Sequence, residues 1–172
     1  IERVLAHYGR IDALINNASS VYPTPIGAAT AAHWDELFAA NAKAPFFLAQ
    51  AAAPHLAKTG GCILNMVDIY GERPLALHPL YSMAKAALAM MTMALARDLG
   101  PAVRVNGIAP GAVLWPETGK AEGERRDLLA RTPLARAGEP ADIARTALFL
   151  LRDAPYITGE IIRVDGGRAL SI

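Results

Sequence analysis

The hydrophobic pattern along this chain switches repeatedly between short strand-like runs and long helical stretches. Ala13-Leu14-Ile15 is a short apolar run ending in Asn16-Asn17-Ala18-Ser19, and Pro23 and Pro25 then mark a loop. From Thr30 to roughly Lys58 the pattern suits one long helix, with Pro45 expected to bend it and Gly60-Gly61 to stop it. Cys62 to Val67 is a continuous apolar run, as expected for a strand buried on both faces of a parallel sheet. Pro79 to about Leu99 predicts a second long helix, closed by Gly100-Pro101. Val103 to Ile108 predicts a third strand, followed by the turn Ala109-Pro110-Gly111. Pro140 suits the first position of a helix through Leu151, and Glu160 to Val164 predicts a last strand. Residues 112–138 are irregular and charged, including Glu122, Glu124, Arg125, Arg126 and Asp127; a loop or lid with a short helix near 124–131 is expected.

Strands alternating with helices imply an α/β class with parallel pairing and right-handed crossovers. In such sheets ligands bind beyond the carboxyl ends of the strands. Asn16, Asp68 and Pro110-Gly111 all fall at those ends. The opening Ile1-Glu2-Arg3-Val4-Leu5 reads as the tail of a helix, there is no initiator Met, and no Gly-rich strand-to-helix turn is present to cradle a dinucleotide pyrophosphate. The sequence is therefore expected to begin partway through a domain.

Composition narrows the class of partner. The 172 residues are one domain's worth of chain, enough to bury a core. A net charge of +1 argues against a nucleic-acid binder driven by phosphate neutralisation. The single Cys62 lies in an apolar run, so neither an internal disulfide nor a multi-cysteine metal site is available, and a buried thiol in a reducing cytoplasm is expected. No apolar run approaches the ~20 residues of a membrane span, and the start lacks a signal-peptide pattern. His7, His33, His55 and His78 show no metal-ligand spacing, so no metal is expected.

The candidate chemistry centres on Tyr81-Ser82-Met83-Ala84-Lys85, with Asp68 thirteen residues before the tyrosine. A free tyrosine, with a pKa of about 10, is a poor acid–base group at neutral pH. A lysine one helical turn away shares its face and favours the phenolate. Such a pair can pass a proton to or from a substrate that also exchanges a hydride. Taken alone, a Tyr and a Lys four apart are a common coincidence on helices, and Asp68 taken alone is an ordinary loop-capping residue. Asn41, an amide inside a helix among small residues, is an expensive placement unless it is hydrogen-bonded or exposed.

As a set, Asn16-Asn17-Ala18, the helical Asn41, Tyr81-x-x-x-Lys85, Arg104-Val105-Asn106 and Pro110-Gly111 resemble the short-chain dehydrogenase/reductase family, over essentially the whole chain as far as Val164-Asp165-Gly166-Gly167. The resemblance implies a Rossmann-like doubly wound parallel sheet, here a single partial domain over residues 1–172 that lacks the first strands and the Gly-rich turn. It implies that Tyr81 is the acid–base residue, that Lys85 lowers its pKa and bonds the nicotinamide ribose, and that Asn41 holds a water relay. Asn17, Ala18 and Ser19 would line the cofactor, and Pro110, Gly111 and Val113 would cradle the nicotinamide.

Two positions depart from the family pattern. Ser19 stands where Gly is usual, and Asp68 stands where Ser is usual. A Ser hydroxyl can donate to a carbonyl oxygen that becomes negative during reduction, whereas an ionised Asp repels it. A carboxyl group suits a ring nitrogen that carries or gains a proton, so the logic points to C=N reduction. Asp68, Tyr81 to Lys85, Asn16 to Ser19 and Arg73-Pro74-Leu75 look like the pteridine reductases, including the dihydromonapterin reductase type. That subgroup implies NADPH-dependent reduction of pterins or dihydrofolates, with Asp68 and Tyr81 touching the substrate. Leu114 and Trp115 are candidates to cover the substrate ring, with ordinary packing as the alternative. A homotetramer built through the two long helices is implied by the family. The competing readings are a 3-oxoacyl or other carbonyl or alcohol reductase using the same Tyr and Lys, and a non-catalytic fragment.

Overall fold

A computed structural model describes residues 1–113 and 122–172. Four strands, β1 (Ala13–Asn16), β2 (Cys62–Met66), β3 (Arg104–Pro110) and β4 (Ile161–Val164), form one sheet in the order β1-β2-β3-β4, every neighbouring pair parallel. The α-helices among the described residues are α1 (Glu2–Tyr8), α2 (Ala31–Phe38), α3 (Ala44–Thr59), α4 (Pro79–Leu99), α5 (Glu122–Ala130) and α6 (Pro140–Leu148). This is the Rossmann-like parallel α/β arrangement expected from the alternating pattern.

Alternation along the strands shows why both faces are covered. On β2, Ile63 packs with Ala49, Ala52 and Leu56 of α3 and with Ala96 of α4. Its neighbour Leu64 points the other way, toward Ile108, Ala147 and Leu150 beside α6. Small alanines let α3 and α4 approach the sheet closely, which suits the interior packing density of proteins.

A buried polar ladder crosses the sheet beneath α4. Asn16 and Asn65 are in register on β1 and β2, and Asn16 Nδ2 donates to Asn65 Oδ1 at 2.8 Å. Asn65 Nδ2 donates to Thr92 Oγ1 of α4 at 2.9 Å, and Thr92 donates on to Leu88 O at 2.8 Å. These contacts fix the helix carrying Tyr81 and Lys85 against the strands that end at the site.

The long helix read from Thr30 to Lys58 is interrupted, and not where proline was expected to bend it. A π turn at Ala39–Lys43 separates α2 from α3 and contains Asn41, while Pro45 sits within the first turn of α3. The wider turn follows from the chemistry: Pro45 has no N–H for the carbonyl four residues back, and the Asn41 side chain itself donates to Leu37 O at 2.8 Å. The last predicted helix likewise ends its α-helical part at Leu148 and continues as a π turn over Phe149–Asp153. The short helix expected near 124–131 runs from Glu122 to Ala130.

Candidate active site

Tyr81 and Lys85 lie one turn apart on α4, both buried, with Lys85 Nζ 5.8 Å from the centre of the Tyr81 ring. Asp68 begins the 3-10 turn Ile69–Gly71 that follows β2, and its Oδ1 accepts from Tyr70 N at 2.9 Å. Its Oδ2 accepts the Tyr81 hydroxyl at 2.6 Å. Glycine makes this approach possible: a Cβ on Gly71 would lie 3.0 Å from the Lys85 carbonyl carbon, so the turn presses directly on the α4 backbone. The spacing between Asp68 and Tyr81 therefore becomes a contact through a turn only a small residue permits.

Electrostatics differ from the expectation that Lys85 would favour the phenolate. Burial comes first among the causes that hold the Tyr81 phenol well above its ordinary value, and the Asp68 carboxylate adds to it. Lys85 directs its ammonium to Met66 O at 2.8 Å, and burial lowers its pKa to about 8 despite the opposing pull of Asp68. Burial also raises Asp68, against the hydrogen bonds from Tyr70 and Tyr81 and the charge of Lys85. In this state the tyrosine is a neutral phenol that donates to a carboxylate.

Asn41 is buried and fully engaged. Its Nδ2 donates to Leu37 O at 2.8 Å and to Ser20 O at 2.9 Å, and its Oδ1 accepts from Ser19 Oγ at 2.6 Å. Ser19 acts on the Tyr81 phenol in the opposite sense to burial and Asp68, lowering its pKa, but less than they raise it. Sequence reasoning placed Ser19 only along a cofactor; its hydrogen bond to Asn41 was signalled by nothing but its departure from the usual Gly.

Asn17, Ala18 and Ser19 are open to solvent at the end of β1. Pro110 ends β3, Gly111 and Val113 follow it, and all three are half-buried. Gly111 is forced by crowding: a Cβ there would lie 2.7 Å from Asp165 Cα. Thus Asp68, Tyr81 and Lys85 form one group and Ser19 with Asn41 a second hydrogen-bonded pair, while Asn17, Ala18, Pro110, Gly111 and Val113 take their places on the same carboxyl-end rim. Leu114 and Trp115 lie outside the described residues. Among the described residues no group of three or more His, Cys, Asp or Glu could hold a metal ion, and no helix is long and apolar enough to cross a membrane.

The profile of the family described as Enoyl-(Acyl carrier protein) reductase matches residues 1–169. The chain is 36% identical to the 3-oxoacyl-[acyl-carrier-protein] reductase of Thermotoga maritima, over 97% of this chain and 70% of that protein. It is 34% identical to pteridine reductase 1 of Leishmania tarentolae, over 99% of this chain and 67% of that protein. A solved 7α-hydroxysteroid dehydrogenase, complexed with NADH and 7-oxo glycochenodeoxycholic acid, superposes with a TM-score of 0.91 at 34% identity, covering 96% of this chain and 67% of that one. With its parallel sheet, its rim cluster and these likenesses, the chain belongs to the short-chain dehydrogenase/reductase family of oxidoreductases.

Proposed function

We propose that this protein reduces a C=N bond of a pterin or dihydrofolate-type substrate with NADPH, with Tyr81 and Asp68 handling the proton. The observation that carries this reading is the 2.6 Å hydrogen bond from the Tyr81 hydroxyl to Asp68 Oδ2. The only proton of the phenol already points at a carboxylate that also accepts from Tyr70 N. A ketone oxygen arriving here meets an acceptor of like polarity, and its developing negative charge is repelled. A ring N–H or ring nitrogen instead finds an acceptor in Asp68 and a proton in Tyr81.

The residues present fit a nicotinamide cofactor. The Lys85 ammonium has three N–H donors, and among the described residues its hydrogen bond goes to Met66 O, which leaves donors for ribose hydroxyls. Asn17, Ala18 and Ser19 on one side and Pro110, Gly111 and Val113 on the other offer exposed or half-exposed backbone at the strand ends. The bound cofactor supplies the hydride. Tyr81 supplies the proton, Asp68 orients the substrate ring, and Asn41 keeps Ser19 in place. The preference for NADPH rests on the pteridine reductase likeness. Exposed Phe46, Phe47 and Leu48 on α3, with Met83, Met90 and Met93 on α4, support assembly into a homotetramer through these helices.

A second reading, reduction of a 3-oxoacyl or other carbonyl substrate, draws support from the 36% identity to the Thermotoga reductase. Side-by-side turnover of dihydrobiopterin, dihydrofolate and a 3-oxoacyl thioester separates the two. Preference for the pterin upholds the proposal, and preference for the thioester replaces it.

A further inference from the structure

The turn that carries Asp68 is held on two sides. Toward α4, Asp68 Oδ2 accepts the Tyr81 hydroxyl at 2.6 Å, and further along the loop Leu75 N donates to Ser82 Oγ at 3.1 Å. Away from α4 the turn meets the edge strand β4. Alternation along β4 sends Ile162 and Val164 into the cluster beside α6, while Ile161 packs against Ile69 of the turn, Ala109 and Ala169. Arg163, two residues after Ile161, shares its face of the sheet. Its Nε donates to Glu72 Oε2 at 3.1 Å, and its Nη2 reaches the same oxygen. The two residues are 91 positions apart, so this ion pair joins the last strand to the loop after β2. Asp165, the other acid near Arg163, is engaged by Gly167 N at 2.9 Å and Ala169 N at 2.8 Å.

The geometry points to Arg163 and Glu72 as positioning residues that hold the Asp68 carboxyl in register with the Tyr81 hydroxyl. This rests on the reading of Asp68 and Tyr81 as the pair that handles the proton in a reductase.

Glu72 connects to Asp68 through a short, hydrogen-bonded path. Gly71 N donates to Asp68 O at 3.0 Å, Glu72 N to Ile69 O at 3.1 Å and Arg73 N to Ile69 O at 3.0 Å. These bonds tie residues 68–73 into one body, so a displacement at Glu72 reaches the carboxyl. Burial disfavours the charge of Asp68, and swinging outward into water would relieve that cost. Movement toward α4 is blocked, because a Cβ on Gly71 would already lie 3.0 Å from the Lys85 carbonyl carbon. Movement away from α4 is opposed by packing on Ala109 and Ala169 and by the Arg163–Glu72 pair. A half-exposed ion pair of this kind adds little to global stability. A severalfold bias in the position of one turn is nevertheless within its reach, and catalysis is sensitive to displacements of about 1 Å. The groups facing the Asp68 carboxyl are Tyr70 of its own turn and Tyr81 and Lys85 of α4. Arg163 and Glu72 thus act on where the carboxyl sits, with no contact to the reacting atoms of their own.

The test uses two readouts. The first needs no turnover. Amide hydrogen exchange is followed at Tyr70, Gly71, Glu72 and Arg73, with Leu64 of β2 and Leu88 of α4 as internal controls. Arg163→Met and Glu72→Gln should each speed exchange in the turn about fivefold and leave the controls unchanged, and the double variant should match either single one. Turn amides that exchange at the wild-type rate, or that speed up only together with the controls, overturn the inference. The second readout is kinetic. Arg163→Met should lower kcat for dihydrobiopterin about fivefold with KM for the nucleotide within about twofold, and Arg163→Lys, which keeps the charge, should recover part of the loss. The same substitution made in an Asp68→Ser protein should change kcat by less than about twofold, because the carboxyl it positions is gone. An unchanged kcat in the wild-type background, or an equal loss in both backgrounds, also overturns the inference. Faster exchange in the turn without pterin turnover would instead remove the proposed substrate and uphold the hold of Arg163 on the Asp68 turn.

Discussion

The Tyr81 hydroxyl donates to Asp68 Oδ2 at 2.6 Å, joining the first turn of α4 to the loop after β2. The bond is one of two donors on a carboxyl whose pKa burial raises. Tyr81→Phe removes the proton donor and should reduce kcat by about 100- to 10,000-fold while the fold persists. It also leaves Asp68 Oδ2 without a donor, which raises the folded-state pKa of Asp68 further above its unfolded value. A group of that kind loses stability as pH rises from the unfolded toward the folded pKa. The variant should therefore be destabilised more at neutral than at acidic pH, as denaturant midpoints at the two conditions would reveal. Equal destabilisation at both would mean that Tyr81 does not support the Asp68 charge.

Lys85 has its own pH signature. Its folded pKa is lowered to about 8 by burial, from an ordinary 10.5. Below pH 8 the group is charged in folded and unfolded chains alike, and burial of that charge opposes folding. Between about 8 and 10.5 the unfolded chain binds a proton that the folded chain has released, so this group makes stability rise with pH across the window. Lys85→Met should flatten that rise in denaturant titrations at several pH values. A slope that survives the substitution would assign the effect elsewhere.

Gly71 sets how closely the Asp68 turn meets α4. A Cβ there would lie 3.0 Å from the Lys85 carbonyl carbon and 3.1 Å from its oxygen. Gly71→Val should force the turn away from the helix, costing about 1–3 kcal/mol in stability. Misplacing Asp68 from Tyr81 by about 1 Å should lower kcat about 100-fold. Full activity in Gly71→Val would show that the contact tolerates a looser turn.

The ladder from Asn16 through Asn65 to Thr92 should be structural in its effect. Asn65 is fully buried and bonded at both ends of its amide. Asn65→Ala leaves the Asn16 amide N–H without its acceptor and Thr92 without its donor. We expect a loss of about 2–4 kcal/mol in the free energy of unfolding. A loss below about 1 kcal/mol would indicate that water replaces the amide.

Much of this site was legible before the structure because its chemistry follows chain order. Strand ends carry Asn16, Asp68 and Pro110, and helical spacing alone puts Tyr81 and Lys85 on one face. What the sequence concealed depends on directions of side chains. Nothing in Thr30 to Lys58 distinguishes a π turn at Asn41 from a bend at Pro45, because both interrupt the same run of small residues. The charge balance was hidden as well. Proximity of Lys85 suggested a phenolate, yet the ammonium turns to Met66 O and leaves Tyr81 facing a carboxylate. The hydrogen bond from Ser19 to Asn41 needed the orientation of the Asn41 amide, which residue type does not reveal.

The decisive measurement is the ratio of kcat/KM for dihydrobiopterin to that for a 3-oxoacyl thioester, in the wild type and in Asp68→Ser. We expect the wild type to favour the pterin and the serine variant to lose about 100-fold in that ratio, because the hydroxyl donates where the carboxylate accepts. A wild type that favours the thioester, or a ratio indifferent to the substitution, would contradict the role assigned to Asp68.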